Sequence, residues 1–303
     1  MSAMARLLAA LLLVLCAGPG EAADKLRVVT TIPDLKALVD AVGGDLVESD
    51  ALARGSQNLH EVEVRPSMMV KLRRADVFVE NGLDLDAWAD LAVRGANNAK
   101  IVRGAPGRVD ASRDVPAIDV PAGRVDRSQG DVHPQGNPHF TMDPGLAPIL
   151  TQTIVDGLAR VAPQHRGAFE KNRAAFLTQV EAALARWSAT LAPFKGAKVV
   201  TYHSIFNYVL TRFGLVVAGT VEDRPGIPPS PAHLARLIQQ MKQERVKAVL
   251  IEPWNDKALA ERVAGDAGAR AVVLAGGVGA VKGADGYLAT LEHNVRALAE
   301  ALR

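Results

Sequence analysis

A chain of 303 residues that is 49% hydrophobic and 22% charged has an ordinary globular composition with room for about two domains, which excludes a disordered or low-complexity protein. Its 35 basic and 33 acidic residues leave a formal charge of +2, and aromatic residues make up only 4%. That balance supplies neither a polycationic surface nor a base-stacking platform, so nucleic acid is not expected as a partner.

The first 23 residues stand apart from the rest. Met1 to Arg6 is a short positive start, and Leu7 to Ala17 is an apolar run too short to anchor stably in a bilayer. Gly18 to Ala23 then supplies a breaker and small residues, the layout of a cleavable secretory signal ending near Ala22 or Ala23. Leu15 is bulky where lipoprotein processing before Cys16 wants a small residue, which disfavours a lipid anchor. Cys16 is the only cysteine. Once the leader is removed, the exported chain must be held by its core without disulfides, and it offers no thiolate to a metal.

Leu26 to Ile32 reads as a buried strand that Pro33 ends. A helix is expected from Asp34 to Val42, stopped by Gly43-Gly44, with a short strand around Val47. The loop from Gly55 delivers His60. Pro66-Ser67 starts a helix to Arg74 with Met69, Val70 and Leu72 on its apolar side. Val77 to Glu80 is a strand, and Asn81-Gly82 turns into a helix around Trp88. Residues 104–136, rich in Gly, Pro, Asp and Arg, read as loop with one strand at Ala117 to Val120. His133 in that loop is expected to be solvated.

Asn137 to Pro144 is the stretch around which the rest is organised. Pro138 biases Asn137 away from helix, and Asp143 can cap the helix that Pro144 opens. His139 is thereby held on a short, stiff loop, which suits a metal ligand whose direction is set before the metal arrives. Helical spacing runs from Pro144 to Val161 and again from Gln164 to Leu191, with Phe169, Phe176, Val180, Leu184, Trp187 and Leu191 as the stripe of the second helix. About 28 residues at roughly 1.5 Å each make a rod of about 42 Å, a rigid strut rather than a flexible linker.

After the strut the α/β rhythm resumes. Strands are expected at Lys198–Tyr202, Leu215–Ala218, Lys247–Ile251 and Ala271–Leu274. Helices are expected at Ser204–Phe213, after the Ser230 cap to Lys242, at Asp256–Ala267 and at Tyr287–Leu302. His203 lies just past the first of these strands and Glu252 at the end of the third.

His60, His139 and His203 share one setting: each sits where a strand ends or a helix begins, the edge of an open α/β sheet at which ligands bind. Three imidazoles without a thiolate suit Zn²⁺, with Mn²⁺ or Fe²⁺ as weaker alternatives. Three imidazoles and a water, with Glu252 as base, would also describe an exported zinc hydrolase. The chain has no HExxH helix, which disfavours that reading.

GSQNLHEVEVRPS from Gly55, GNPHFTMDP from Gly136, TYHSIFNY from Thr201 and Leu250-Ile251-Glu252-Pro253 occur in this order. Together they resemble the zinc/manganese substrate-binding proteins of bacterial metal ABC importers, the cluster A-I solute-binding proteins. The resemblance implies two parallel-sheet α/β lobes joined by one long rigid helix, with the metal between the lobes. On that plan residues 1–23 are the signal peptide, 24–163 the N-terminal lobe, 164–193 the linking helix and 194–303 the C-terminal lobe. It also implies a monomeric periplasmic carrier that serves a membrane permease and is not an enzyme, although a surface adhesin would share the fold. The family's first three ligand positions fall on His60, His139 and His203. Manganese-type members often carry a carboxylate at the third position, and many members supply a late acid where this chain has Ala275-Gly276-Gly277-Val278-Gly279. The fourth ligand is therefore expected to be water or Glu252, with water favoured; Glu61 follows His60 but should face away.

Overall fold

The structure is a computed structural model that describes residues 25–125 and 129–303. The expected leader at 1–23, Cys16 included, lies outside the described residues. Strand β1 (Leu26–Thr30), helix α1 (Pro33–Gly43), β2 (Val47–Ala51), α2 (Pro66–Arg73), β3 (Val77–Glu80), α3 (Ala89–Ala96) and β4 (Arg108–Asp110) build the first sheet and its helices. Helices α4 (Ala147–Val161) and α5 (Arg166–Leu191) follow. The second sheet comprises β5 (Lys198–Thr201), β6 (Val216–Thr220), β7 (Ala248–Ile251) and β8 (Arg270–Val273). It is interleaved with α6 (Asn207–Arg212), α7 (Pro231–Glu244) and α8 (Lys257–Ala267), and α9 (Tyr287–Leu302) ends the chain.

Both sheets are parallel throughout, with strand orders β2-β1-β3-β4 and β6-β5-β7-β8. The two lobes thus repeat one topology. In each, the order reverses between the two central strands, which opens a crevice at their carboxyl ends. In the second lobe His203 follows β5 and Glu252 follows β7, so both flank that crevice. In the first lobe the end of β3 carries Asn81, whose buried amide donates to the Pro138 carbonyl at 3.0 Å and anchors the loop bearing His139.

Helix α5 contains 26 residues, about 39 Å at 1.5 Å each, preceded by a 3-10 turn at Pro163–His165. It packs along α1 and α4 of the first lobe and α9 of the second. Asn172 donates to the Val42 carbonyl at 3.0 Å, and the Trp187 indole to Glu292 at 2.7 Å. Phe169, Phe176, Val180, Trp187 and Leu191 are buried as the spacing predicts, while Ala183 takes the buried place given to Leu184. One continuous apolar core runs from Val28 through α5 to Leu302. A second cluster around Leu237 and Met241 lies beneath α7 and α8. A core shared across both lobes makes the helix part of the packing rather than a tether.

Two local expectations need correction. The edge strand is Arg108–Asp110, and residues 117–120 are not a strand. Arg108 settles the pairing: its guanidinium meets Glu80 of β3 at 2.5 and 2.8 Å and Asp90 at 2.6 Å, with the arginine side chain only 6% exposed. These part-buried, charge-assisted bonds are stronger than neutral ones and tie Arg108 to the end of β3. On α2 the buried residues are Met68 and Leu72, four apart, whereas Val70 is exposed. His165 and His293 are half-buried.

Candidate metal centre

The same local device aims both histidines of the first lobe. Asn58 Oδ1 accepts from the His60 backbone N–H at 3.1 Å, and Asn137 Oδ1 accepts from that of His139 at 3.0 Å. An asparagine binding the backbone two residues on is an Asx turn, which bends the chain without regular structure. Asn-Leu-His and Asn-Pro-His are thus two copies of one loop motif. Asn137 is itself clamped: its amide donates to the Ser204 carbonyl at 2.8 Å and to Asp119 at 3.0 Å, and its carbonyl accepts from the Tyr208 hydroxyl at 2.9 Å. Ser204 and Tyr208 belong to the second lobe, so the loop of His139 is held from across the cleft. Two further bonds reinforce this side, from the Arg212 guanidinium to both oxygens of Asp143 at 2.8 Å each.

His203 is placed differently. It leaves the end of β5 in extended conformation, and its Nδ1 meets Glu222 Oε2 at 2.8 Å. Glu222 in turn accepts from the Gly226 backbone at 2.9 Å. With Nδ1 donating to a carboxylate, the Nε2 lone pair is left for a metal, the arrangement that fixes a ligand's tautomer and raises its basicity.

Among the described residues, His60, His139 and His203 form a group whose donor atoms all lie within 4.8 Å of one another. His60 Nε2 and His139 Nε2 are 3.2 Å apart, and the three ring-centroid separations are 5.1, 5.1 and 5.5 Å. The rings surround a cavity of about 30 Å³ that is also lined by Asp131, Glu222, Glu252 and Trp254. A water needs roughly 10–15 Å³, so the space suits an ion with at most one or two waters.

The protonation of the three rings is set by their surroundings. Burial, reinforced by the neighbouring imidazoles, holds His60 and His139 well below the ordinary imidazole range, so both are neutral donors at neutral pH. Burial also works against protonated His203, but its bond to the Glu222 carboxylate, with the nearby carboxylates of Glu252 and Asp131, outweighs it and raises its pKa. Glu252 is 1% exposed, and both its oxygens are buried without a hydrogen-bond partner. Burial pushes its pKa to about 7, partly offset by His203. It lines the cavity but is not in the group of close donor atoms.

His133, expected to be solvated, is half-buried, with its ring centroid 5.1 Å from that of His60. The loop that carries it is folded back onto the centre by a backbone bond from Asp131 N–H to the Pro225 carbonyl at 2.8 Å. Sequence reasoning also missed Glu222. No motif marks it, because its role depends on β6 lying beside β5. The two Asx turns did leave a signal, an asparagine two residues before each histidine.

The chain is 27% identical over 298 residues to the zinc-binding lipoprotein AdcA of Streptococcus pneumoniae serotype 4, covering 96% of this chain and 58% of that protein. It therefore spans little more than half of that relative. To the high-affinity zinc uptake system protein ZnuA of Paracoccus denitrificans it is 26% identical, covering 96% of this chain and 97% of the other. In fold it resembles a crystal structure of ZnuA with a TM-score of 0.79 at 23% identity, covering 92% of this chain and all of that one. The family described as zinc-uptake complex component A, periplasmic, matches residues 28–301, and this chain belongs to it.

Proposed function

We propose that this protein is a periplasmic carrier of one zinc ion, bound by His60, His139 and His203 and delivered to the membrane permease of an ABC importer. The convergence of three imidazoles on one small cavity carries the reading. Protonation of two rings is disfavoured by burial and the third is oriented by a carboxylate, and one ring nitrogen of each lies within 4.8 Å of the others. Nitrogen donors without thiolate suit Zn²⁺, and Mn²⁺ or Fe²⁺ would be held less tightly. The names of the relatives support the same cargo.

The fourth position falls to water, with Glu252 as the other donor on the cavity wall. An open position eases release, which a carrier needs and a structural zinc site avoids. The reading includes export by the leader at 1–23, a monomer, and a division into lobes at 24–163 and 194–303 about the linking helix at 164–193. It assigns no catalysis. Among the described residues no helix is long and apolar enough to cross a membrane.

The test is titration of metal-free protein. One tight equivalent of Zn²⁺ per chain is expected, held more strongly than Mn²⁺. No tight equivalent, or a preference for Mg²⁺, overturns the proposal.

A further inference from the structure

Beside its donors, the metal cavity has an apolar lining from Leu59, Ile205 and Trp254. Trp254 reaches it from a tight turn at residues 252–255. The Asn255 N–H donates to the Glu252 carbonyl at 3.1 Å, and the Glu252 N–H donates to Asn255 Oδ1 at 2.7 Å. Pro253 stands second in this turn, where its fixed φ already suits the bend. The turn lays Trp254 on the loop that follows β8. A Cβ at Gly276 of that loop would stand 2.6 Å from the indole Cη2 and 3.2 Å from both Glu252 Cγ and Ile205 Cδ1. The side chain that Gly276 lacks is thus the room that the indole takes.

The seat of the indole is held from behind. Ala275, Ala280 and Ala284 form a small apolar cluster against which Trp254 packs. Asn294 of α9 accepts from the Ala275 N–H at 2.8 Å and donates to the Ala275 carbonyl at 2.9 Å. The Val278 N–H donates to Asp34 of α1 at 3.3 Å. A side chain at Gly55, on the loop that leads to His60, would run into the Val278 carbonyl. Both lobes therefore back this wall. Trp254 itself is half-buried, so part of it meets solvent while another part lines the cavity.

We propose that Trp254 is a specificity-determining residue of the centre: its indole limits the bound ion to four or five ligands and so discriminates against cations that require six. Once an ion is inside, a cavity of about 30 Å³ leaves room for at most one or two waters, at roughly 10–15 Å³ each. Three imidazoles plus one or two waters make four or five ligands. Zn²⁺ is satisfied with four, whereas Mg²⁺ demands an octahedral shell and Mn²⁺ favours one. Donor chemistry and space thus act in the same direction. Without the indole, water enters from the solvent side and completes a shell of six.

The inference rests on the zinc-carrier reading, and the experiment separates the two. Zn²⁺ and Mn²⁺ affinities of the whole metal-free protein are measured by competition with a chelating dye. Co²⁺ is bound as a spectroscopic probe, because it absorbs strongly in the visible with four or five ligands and weakly with six. In Trp254→Ala, Mn²⁺ should gain on Zn²⁺ by at least about tenfold, the scale on which groups around the ligands act, and the Co²⁺ bands should fade. Trp254→Leu, apolar but smaller than the indole, should move both readouts the same way and carries the test if the alanine variant fails to fold. Trp254→Phe, which keeps a ring on the seat, should restore most of the Zn²⁺ preference and the strong Co²⁺ bands. Equal changes in Zn²⁺ and Mn²⁺ affinity with an unaltered Co²⁺ spectrum would overturn the inference, because Trp254 would then only support the fold. Weak Co²⁺ bands in the unaltered protein would overturn it too, with the carrier reading intact. Absence of tight Zn²⁺ binding by the unaltered protein overturns the carrier reading itself.

Discussion

The two lobes repeat one sheet topology yet supply their histidines by opposite means. The first lobe gives two, each on an Asx turn, and among the described residues no carboxylate is hydrogen-bonded to either ring. Burial, reinforced by the neighbouring imidazoles, disfavours their charged forms. The second lobe gives one, at the end of a central strand, held by Glu222 and surrounded by carboxylates that favour its charged form. The first lobe therefore offers donors whose protonation is disfavoured, and the second offers a more basic donor for which protons compete more strongly with the metal. The comparison teaches that affinity and pH response are separable here: the first lobe sets how many free lone pairs wait, and the second sets where protons compete.

The strongest way to break the comparison is to remove the rings. His60→Ala, His139→Ala and His203→Ala should each weaken Zn²⁺ binding by more than about tenfold, a loss that even an orienting partner can produce. His165→Ala and His293→Ala should leave affinity within a few tenths of a log unit, because neither belongs to the donor group. Equal losses at all five positions, read by competition with a chelating dye, would end the assignment.

Next in size is Glu222→Gln. It keeps the hydrogen bond to His203 but removes the charge that raises that ring's proton affinity. Zinc affinity at neutral pH should fall by roughly tenfold. In the unaltered protein, affinity should decline as pH drops through the raised pKa of His203, where protons take the Nε2 lone pair. In Glu222→Gln that decline should begin at lower pH. A midpoint that stays in place would show that Glu222 only positions the ring.

The pH dependence of metal-free stability should also divide by lobe. His60 and His139 have depressed folded values, so their contribution is present above about 6.5 and is lost as pH falls below it. His203 runs the other way: its contribution is present below its unfolded value and is lost as pH rises through its raised folded one. Glu252, raised to about 7 by burial, adds a loss of stability as pH rises from 4.5 through about 7. Glu252→Gln should flatten the alkaline side of the melting curve and change Zn²⁺ affinity less than any of the three histidine substitutions. If it abolishes binding as His139→Ala does, Glu252 is a direct ligand and the open fourth position is wrong.

The smallest expected effect is on shape. A helix of about 39 Å inside a core shared by both lobes resists a wide hinge. Small-angle scattering of metal-free and zinc-loaded protein should give nearly equal radii. A marked compaction would show that the lobes move as separate bodies.

Much of this was legible in the chain. The strand and helix periodicities, the Pro and Gly breaks and the long stripe from Phe169 to Leu191 are local patterns, written in neighbouring residues. His60, His139 and His203 were legible because strand ends and Pro-led loops mark the ligand edge of such sheets. What escaped depends on partners distant in sequence. Arg108 defines an edge strand only through Glu80 and Asp90, 28 and 18 residues away. Glu222 matters only because β6 lies beside β5. His133 looked solvated because a loop rich in Gly, Pro and charge carries no signal of what it folds against.

By itself, then, the amino-acid order determined the two α/β halves, the helix between them and three histidines at the right edges, since each follows from backbone preferences and side-chain spacing within a few residues. The tertiary structure alone decided which atoms face one another. It turned His203 with Glu222, left both oxygens of Glu252 without partners, and laid His133 beside His60 at a ring separation of 5.1 Å. Proton affinities and donor directions are properties of that packed environment, because they depend on burial and on charges brought within a few ångströms by folding.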